Sequence, residues 1–409
     1  MRQVPIRPSA SGGRVIMGAP RLSGWAQVVT LSLTEITSWG ILYHMFPVFL
    51  GPMERDLHWS QASMSGAYSM ALLISGLMAI PVGRWLDRTR SPRALMAAGS
   101  FLGVAALLVW ANVTSLPVFF ALWAVLGVAM AASLYEPAFV TVAAWFMQRE
   151  RALTVLTTVS GLATVIYLPV AALLIEQSGW RTALLLLAAI LLVGAALPHA
   201  IALRPYPVVP HPESRPVAAT ISPWCVWGFW QLVVGFTLVQ IAVSALMVYL
   251  IPYLGQQGMP ATQAATASGL IGLVALVGRV IATWRSTPQT RAVMTGVFFL
   301  ALALGIVVLT LIHGLVGLAL FIALFGAGFG IYSPARAGLV ADRFGTLVFG
   351  RVNGRLALVI TLARAAGPAG TGLLLLRGAS YSAVFWLLAL LAALGAGFLW
   401  LPYTDLQQM

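Results

Sequence analysis

Five ionisable residues, Glu35, Glu136, Arg279, Arg336 and Arg364, lie inside long apolar runs of the chain. A charge at the centre of a bilayer costs about 2.5–3.5 kcal/mol on insertion scales unless it is paired or hydrated, so each is a candidate functional group. Three guanidiniums against two carboxylates leave a formal excess of one positive charge. In a low-dielectric cavity that excess favours an anion, and guanidinium matches carboxylate bidentately. Burial disfavours the charged form of a carboxylic acid. Glu136 first, and Glu35 second, are therefore the candidates for carrying a proton. Their neighbours suit a polar cavity. Ser32, Trp39 and Tyr43 share the Glu35 face at helical spacing. Tyr332 and Ser333 accompany Arg336, Thr361 precedes Arg364 by a turn, and Thr237, Gln240 and Ser244 form a stripe able to hydrogen-bond a small solute. The structural alternative is that Glu35 or Glu136 neutralises an arginine to hold the protein together. Arg364 serves either role, and His44 reads as a satisfied histidine at the membrane interface.

The elements that must position these residues are membrane helices. Of 409 residues, 60% are hydrophobic and 8% charged, where a soluble chain carries about 25% charged residues. All 23 basic residues are arginine. Without lysine there is no Walker A loop. The single Cys225 forms no internal disulfide and no multi-cysteine metal site, and no cofactor or metal is implied. A net charge of +13 does not indicate nucleic acid here, because the arginines sit between apolar runs, where the positive-inside rule places them.

Twelve segments are long and apolar enough to cross a membrane: 25–50, 63–83, 93–111, 116–145, 152–175, 182–203, 226–254, 264–283, 292–312, 315–340, 352–376 and 383–401. The expected fold is all-α and polytopic, with twelve transmembrane helices in two pseudo-symmetric six-helix halves. The first apolar run is too long for a signal h-region and contains Glu35, so it is read as a retained helix. Residues 1–24 and 403–409 are the tails, 25–203 and 224–402 the two halves, and 204–223 the linker. Six prolines among those twenty residues make the linker extended. Eighteen arginines fall on one side of the spans and three, Arg55, Arg181 and Arg377, on the other. That count puts both tails and the linker in the cytoplasm, and the expected location is a cell membrane, the bacterial inner membrane. The halves repeat. Leu134-Tyr135-Glu136-Pro137-Ala138 is matched by Ile331-Tyr332-Ser333-Pro334-Ala335, offset by 197, and Arg93-Ala94-Leu95-Met96 by Arg291-Ala292-Val293-Met294, offset by 198. Parallel duplication of this kind places a binding site between two rocking halves.

The link after the second span reads Gly83-Arg84-Trp85-Leu86-Asp87-Arg88-Thr89-Arg90-Ser91-Pro92-Arg93. Glycine permits close packing, Asp87 can cap a neighbouring helix, and Arg88 and Arg93 can pair with carboxylates or lipid phosphates. This link resembles the signature loop of the major facilitator superfamily. It departs in two places, since Arg90 stands where a second glycine is usual and 283–288 lacks the aspartate. The resemblance implies a gate at Gly83, Asp87, Arg88 and Arg93 in the first half, and a cavity lined by helices 1, 4, 7 and 10. Glu35, Glu136 and Arg336 then face that cavity. Phe46-Pro47-Val48-Phe49, Gly179-Trp180-Arg181 and Gly278-Arg279 look like the monocarboxylate- and oxalate-porter branch, in which a helix 8 arginine meets the substrate carboxylate. Arg279 is that residue by position. Gly367-Pro368-Ala369-Gly370-Thr371-Gly372 is similar to an antiporter motif but stands in helix 11, where a kink and packing seam is the better reading. Asn112-Val113-Thr114 matches a glycosylation sequon in a loop too short to use it.

The expected activity is secondary transport of a small-molecule substrate, a monocarboxylate moved with H+, by a monomer in the lipid bilayer. Substrate-contacting candidates are Glu35, Glu136, Gln240, Arg279, Arg336 and Arg364. The alternative is a proton-coupled exporter of hydrophobic or cationic drugs, and a receptor or scaffold is more remote because the loops hold no folded domain. No catalytic constellation marks an enzyme.

Overall fold

The computed structural model describes residues 21–89, 91–146, 149–205, 226–285, 287–345 and 349–401. These are almost wholly helical, with short connections and no strand among them. Helix α1 (Arg21–Ser38) runs through a π-helical turn (Trp39–His44) to α2 (Phe46–Leu57). Next come α3 (Gln61–Thr89), α4 (Pro92–Trp110), α5 (Leu116–Ser133), α6 (Tyr135–Trp145), α7 (Arg149–Ser160) and α8 (Ala163–Leu191). A second π turn (Leu192–Ala196) leads into α9 (Leu197–Ile201). The later set is α10 (Trp227–Gln256), α11 (Ala261–Arg285), α12 (Arg291–Leu311), α13 (Gly314–Phe344), α14 (Phe349–Leu376) and α15 (Tyr381–Trp400).

Apolar composition forces this choice, because in hydrocarbon a helix satisfies its backbone groups within one segment. Among the described residues, ten helical stretches are long and apolar enough to cross a membrane. One of them, Arg151–Ile201, has 51 residues, about 75 Å at 1.5 Å per residue and so more than twice the hydrocarbon thickness. It bends at Gly179, whose φ of 78° and ψ of 160° suit glycine alone. The twelve of the sequence reading requires this stretch to cross twice and Arg21–Leu57 to cross once.

Two expectations need correction. The span 116–145 is not one helix, since Leu134 is extended (φ −97°, ψ −155°) and separates α5 from α6. Pro137 cannot donate to the preceding turn and crowds it, which places the break just upstream. The link containing Gly83, Asp87 and Arg88 is not a loop, because α3 continues to Thr89. Arg343 stands in the last turn of α13, as a flanking arginine should, and is only 3% exposed. Its Nη1 donates to the Gly228 carbonyl at 3.1 Å and to Gln231 Oε1 at 3.2 Å. The expected tails 1–24 and 403–409 and the linker 204–223 fall largely or wholly outside the described residues.

Apolar surface alone does not drive helices together in lipid, so close fit and polar contacts must. The helices before and after residues 206–225 meet along α3 with α14, α8 with α11, and α2 with α10. A methyl group on Gly76 would collide with the Thr361 side chain, and one on Gly272 with Thr164. Two hydrogen bonds join the sets at the arginine-poor end. Tyr381 Oη donates to Gln61 Oε1 at 2.6 Å, and Thr262 Oγ1 to Glu176 Oε2 at 3.2 Å. Gln61 in turn donates from Nε2 to Glu54 Oε2 at 2.6 Å.

Candidate functional site

Glu35 lies on α1 with no solvent exposure, and neither carboxylate oxygen has a hydrogen-bond partner. One turn later the backbone widens into the π turn, a departure common at functional sites. Trp39 opens that turn and Tyr43 and His44 close it. Across from them, the break at Leu134 makes Tyr135 the first residue of α6 and puts Glu136 in its first turn. Free backbone N–H groups and the helix dipole favour an anion there, and Glu136 is exposed. The Trp39 ring contacts Tyr135 and Tyr43, with centroids 4.5 and 4.8 Å apart. Tyr135 stacks on Phe139 at 5.0 Å, and its hydroxyl lies 2.7 Å from Ser160 Oγ.

The later helices supply the cations. Arg364 on α14 is within electrostatic reach of Tyr43, Tyr332, Glu136 and Tyr68. Arg336 on α13 faces Tyr332 and is repelled by Arg364. Arg279 on α11 interacts with Tyr135, and Glu35 is repelled by Glu136. Residues from five helices, α1, α6, α11, α13 and α14, thus share one electrostatic neighbourhood. Glu136 in the first turn of α6 and Ser333 within α13 are both exposed.

The ion pairs of the described residues lie elsewhere, between Arg181 and Asp56 at 3.2 Å and between Arg291 and Asp342 at 2.6 Å. Glu35, Glu136, Arg336 and Arg364 form none among the described residues. Glu136 and Arg364 attract one another between helices at longer range than an ion pair.

Other expected residues are not brought into this cluster. Gln240 is buried on α10 and hydrogen-bonds none of the five charged groups. Ser244 Oγ donates to the Ile241 carbonyl at 3.3 Å and packs against Gly367 of α14. In the Gly367–Gly372 run the Pro368 carbonyl accepts from Tyr249 Oη at 3.3 Å, as a packing seam should. Gly83 has open space around it, Arg88 is exposed, and Arg93 Nε donates to the Leu203 carbonyl at 2.7 Å. The Asp87 side chain lies outside the described residues. Gly179-Trp180-Arg181 forms a clamp at the rim. Arg181 Nη1 donates to the Ala111 and Val113 carbonyls at 3.0 and 3.2 Å, and its guanidinium lies 4.2 Å from the Trp180 ring centre. Phe46 is buried against Tyr68 at 4.5 Å.

The His44 ring packs edge-on to Tyr43 at 4.8 Å and is within electrostatic reach of Arg364. Tyr68 was missed altogether; its hydroxyl donates to the Tyr43 carbonyl at 3.1 Å, and nothing in the sequence distinguishes it from a core tyrosine. Tyr135 had a signal, its repeat as Tyr332. No group of three metal-ligating side chains occurs among the described residues.

Residues 31–368 match the family model of the Major Facilitator Superfamily. The chain belongs to that superfamily. It is 26% identical over 265 residues to Monocarboxylate transporter 12-B of Danio rerio, covering 57% of this chain and 56% of that protein. It is 28% identical over 238 residues to Monocarboxylate transporter 12 of Xenopus laevis, covering 51% of each. The superfamily protein thus spans about half the length of these vertebrate relatives. Against an uncharacterized MFS-type transporter, YcxA of Bacillus subtilis (strain 168), the identity is 23% over 326 residues, with 76% and 78% coverage. Two solved structures share the fold. The nucleoside transporter NupG superposes with a TM-score of 0.70 at 13% identity, over 92% of this chain and 97% of that one. A bacterial homolog of the human lysosomal transporter Spinster, inward-facing and occupied, gives 0.67 at 15% identity, over 92% of both.

Proposed function

We propose that this superfamily member is a secondary active transporter that moves a small organic anion, a monocarboxylate, together with protons by alternating access. The observation that carries the reading is the Arg364 guanidinium, which has phenols and Glu136 within electrostatic reach and no ion pair among the described residues. Arg336 and Arg279 belong to the same neighbourhood and add to the positive excess. A carboxylate ligand supplies the missing partner and is held by charge-assisted hydrogen bonds. The names of the Danio and Xenopus relatives support the substrate class.

Glu35 replaces Glu136 as the first choice for the proton. It is wholly buried and unpartnered, whereas Glu136 is exposed. A carboxyl group in such a setting is tolerated as the neutral acid and needs a partner or water once ionised. The competing reading, export of cationic or hydrophobic compounds, draws on the exposed Glu136 beside the Trp39 and Tyr135 rings. A thermal-shift panel of small carboxylates, sugars, amino acids and cationic drugs on the purified protein separates the two, because a ligand stabilises the folded state it binds. Stabilisation by carboxylates supports the anion reading, and stabilisation by cations alone rejects it.

The working unit is proposed to be a monomer of twelve crossings in two six-helix halves, in a bacterial inner membrane with both tails cytoplasmic. Reporter fusions within residues 204–223 are expected to report the cytoplasm, and an external signal would invert the topology. Gly83, Asp87, Arg88 and Arg93 are proposed to latch the arginine-rich ends of the halves in the alternate state. Asp87→Asn is then expected to shift the balance of the two states without lowering the yield of folded protein. Unfolding with no separable transport defect would make Asp87 structural instead.

A further inference from the structure

The walls of the charged cluster are aromatic. Trp39, Tyr43, Tyr135 and Phe139 touch in series, and each is partly exposed. The large rings of the core are sealed by comparison, with Trp110 and Trp123 each 1% exposed. Trp39 Nε1 is buried beside the Glu35 carboxyl group, so the indole offers a ligand its ring and not its N–H. The ring pair also stands where both backbones depart from the α-helix, since Trp39 opens the π turn and Tyr135 follows the break at Leu134. The wall can therefore adjust its spacing without unwinding a helix. Arg364 lies beside Tyr43 at one end of this wall.

We propose that the transported anion is aromatic: its ring lies along Trp39 and Tyr135 while its carboxylate meets Arg364, so these two rings select among carboxylates. The proposal rests on the anion reading above and narrows it. A short aliphatic acid satisfies Arg364 but leaves the ring faces uncovered. A flat aromatic acid meets Arg364 and the rings together, through ring contacts at 4.5–7 Å centroid spacing.

The test is equilibrium binding to the purified full chain of phenylacetate and indole-3-acetate against acetate, lactate and pyruvate, with benzylamine as the cationic control. The aromatic acids are expected to bind about tenfold more tightly than the aliphatic ones, the size of two ring contacts. Trp39→Leu and Tyr135→Leu are each expected to lower the ratio of phenylacetate to lactate affinity about threefold, and together about tenfold. Trp39→Phe and Tyr135→Phe, which keep a ring, retain most of that ratio, and they carry the test if the leucine variants do not fold. Equal affinity for lactate and phenylacetate, or a ratio unmoved by both leucine variants, overturns the aromatic proposal and leaves the anion reading intact. Failure of every carboxylate to bind overturns the anion reading itself, and tight benzylamine binding lost in Glu136→Gln replaces both with a cation site.

Discussion

Arg364→Gln is expected to reduce carboxylate uptake by about 100-fold or more while the protein still folds. Truncating one partner of a buried charged pair costs about 2–5 kcal/mol, which is roughly 30- to 5000-fold in affinity. Removing Arg364 breaks no ion pair among the described residues: Tyr43, Tyr68 and Tyr332 are neutral phenols, and Glu136, the carboxylate that Arg364 attracts at longer range, is exposed to water. The variant also cancels the excess positive charge of the cluster, so the field that draws an anion is lost along with the contact. Arg364→Lys keeps the charge and loses the fork, and a loss of about tenfold is expected for it. Initial rates of labelled carboxylate uptake, normalised to folded protein by size-exclusion chromatography, check both values. Wild-type rates in Arg364→Gln would remove Arg364 from the site.

Glu35→Gln is expected to abolish uptake driven by an imposed pH gradient while exchange of carboxylate across the membrane persists. Glutamine has the shape of the protonated acid and cannot release the proton, so the variant is held in the state that the buried, unpartnered carboxyl group of Glu35 favours. Binding survives because the arginines are untouched, but the step that ties solute to proton is gone. Counterflow measured with and without a pH gradient separates the two. Gradient-driven accumulation in Glu35→Gln, together with its loss in Glu136→Gln, would return the proton to Glu136.

The charged cluster was legible in the sequence because an ionisable group in an apolar run is rare and costly. Composition and the superfamily loop fixed the expectation of an all-helical membrane fold, and the family match agrees with it. The backbone at the site was not legible. Tyr135-Glu136-Pro137 and Tyr332-Ser333-Pro334 share one pattern, yet the first begins a new helix after Leu134 and the second lies inside the unbroken α13. Proline permits a break, and the surrounding packing decides whether one forms. The π turn at Trp39–His44 likewise carries no sequence mark, and it sets the placement of Tyr43 and His44 beside Arg364. Gly179-Trp180-Arg181 resembled the monocarboxylate-porter branch, in keeping with the named relatives, and its physical role as a rim clamp on Asp56 and the Ala111 and Val113 carbonyls shows only in the structure.

The most direct measurement is uptake into proteoliposomes, under an imposed inward proton gradient, of labelled lactate, pyruvate and phenylacetate beside a cationic dye. Carboxylate accumulation that follows the gradient and is lost in Arg364→Gln is the predicted result. Dye movement abolished by Glu136→Gln, with no carboxylate flux under any gradient, would contradict it.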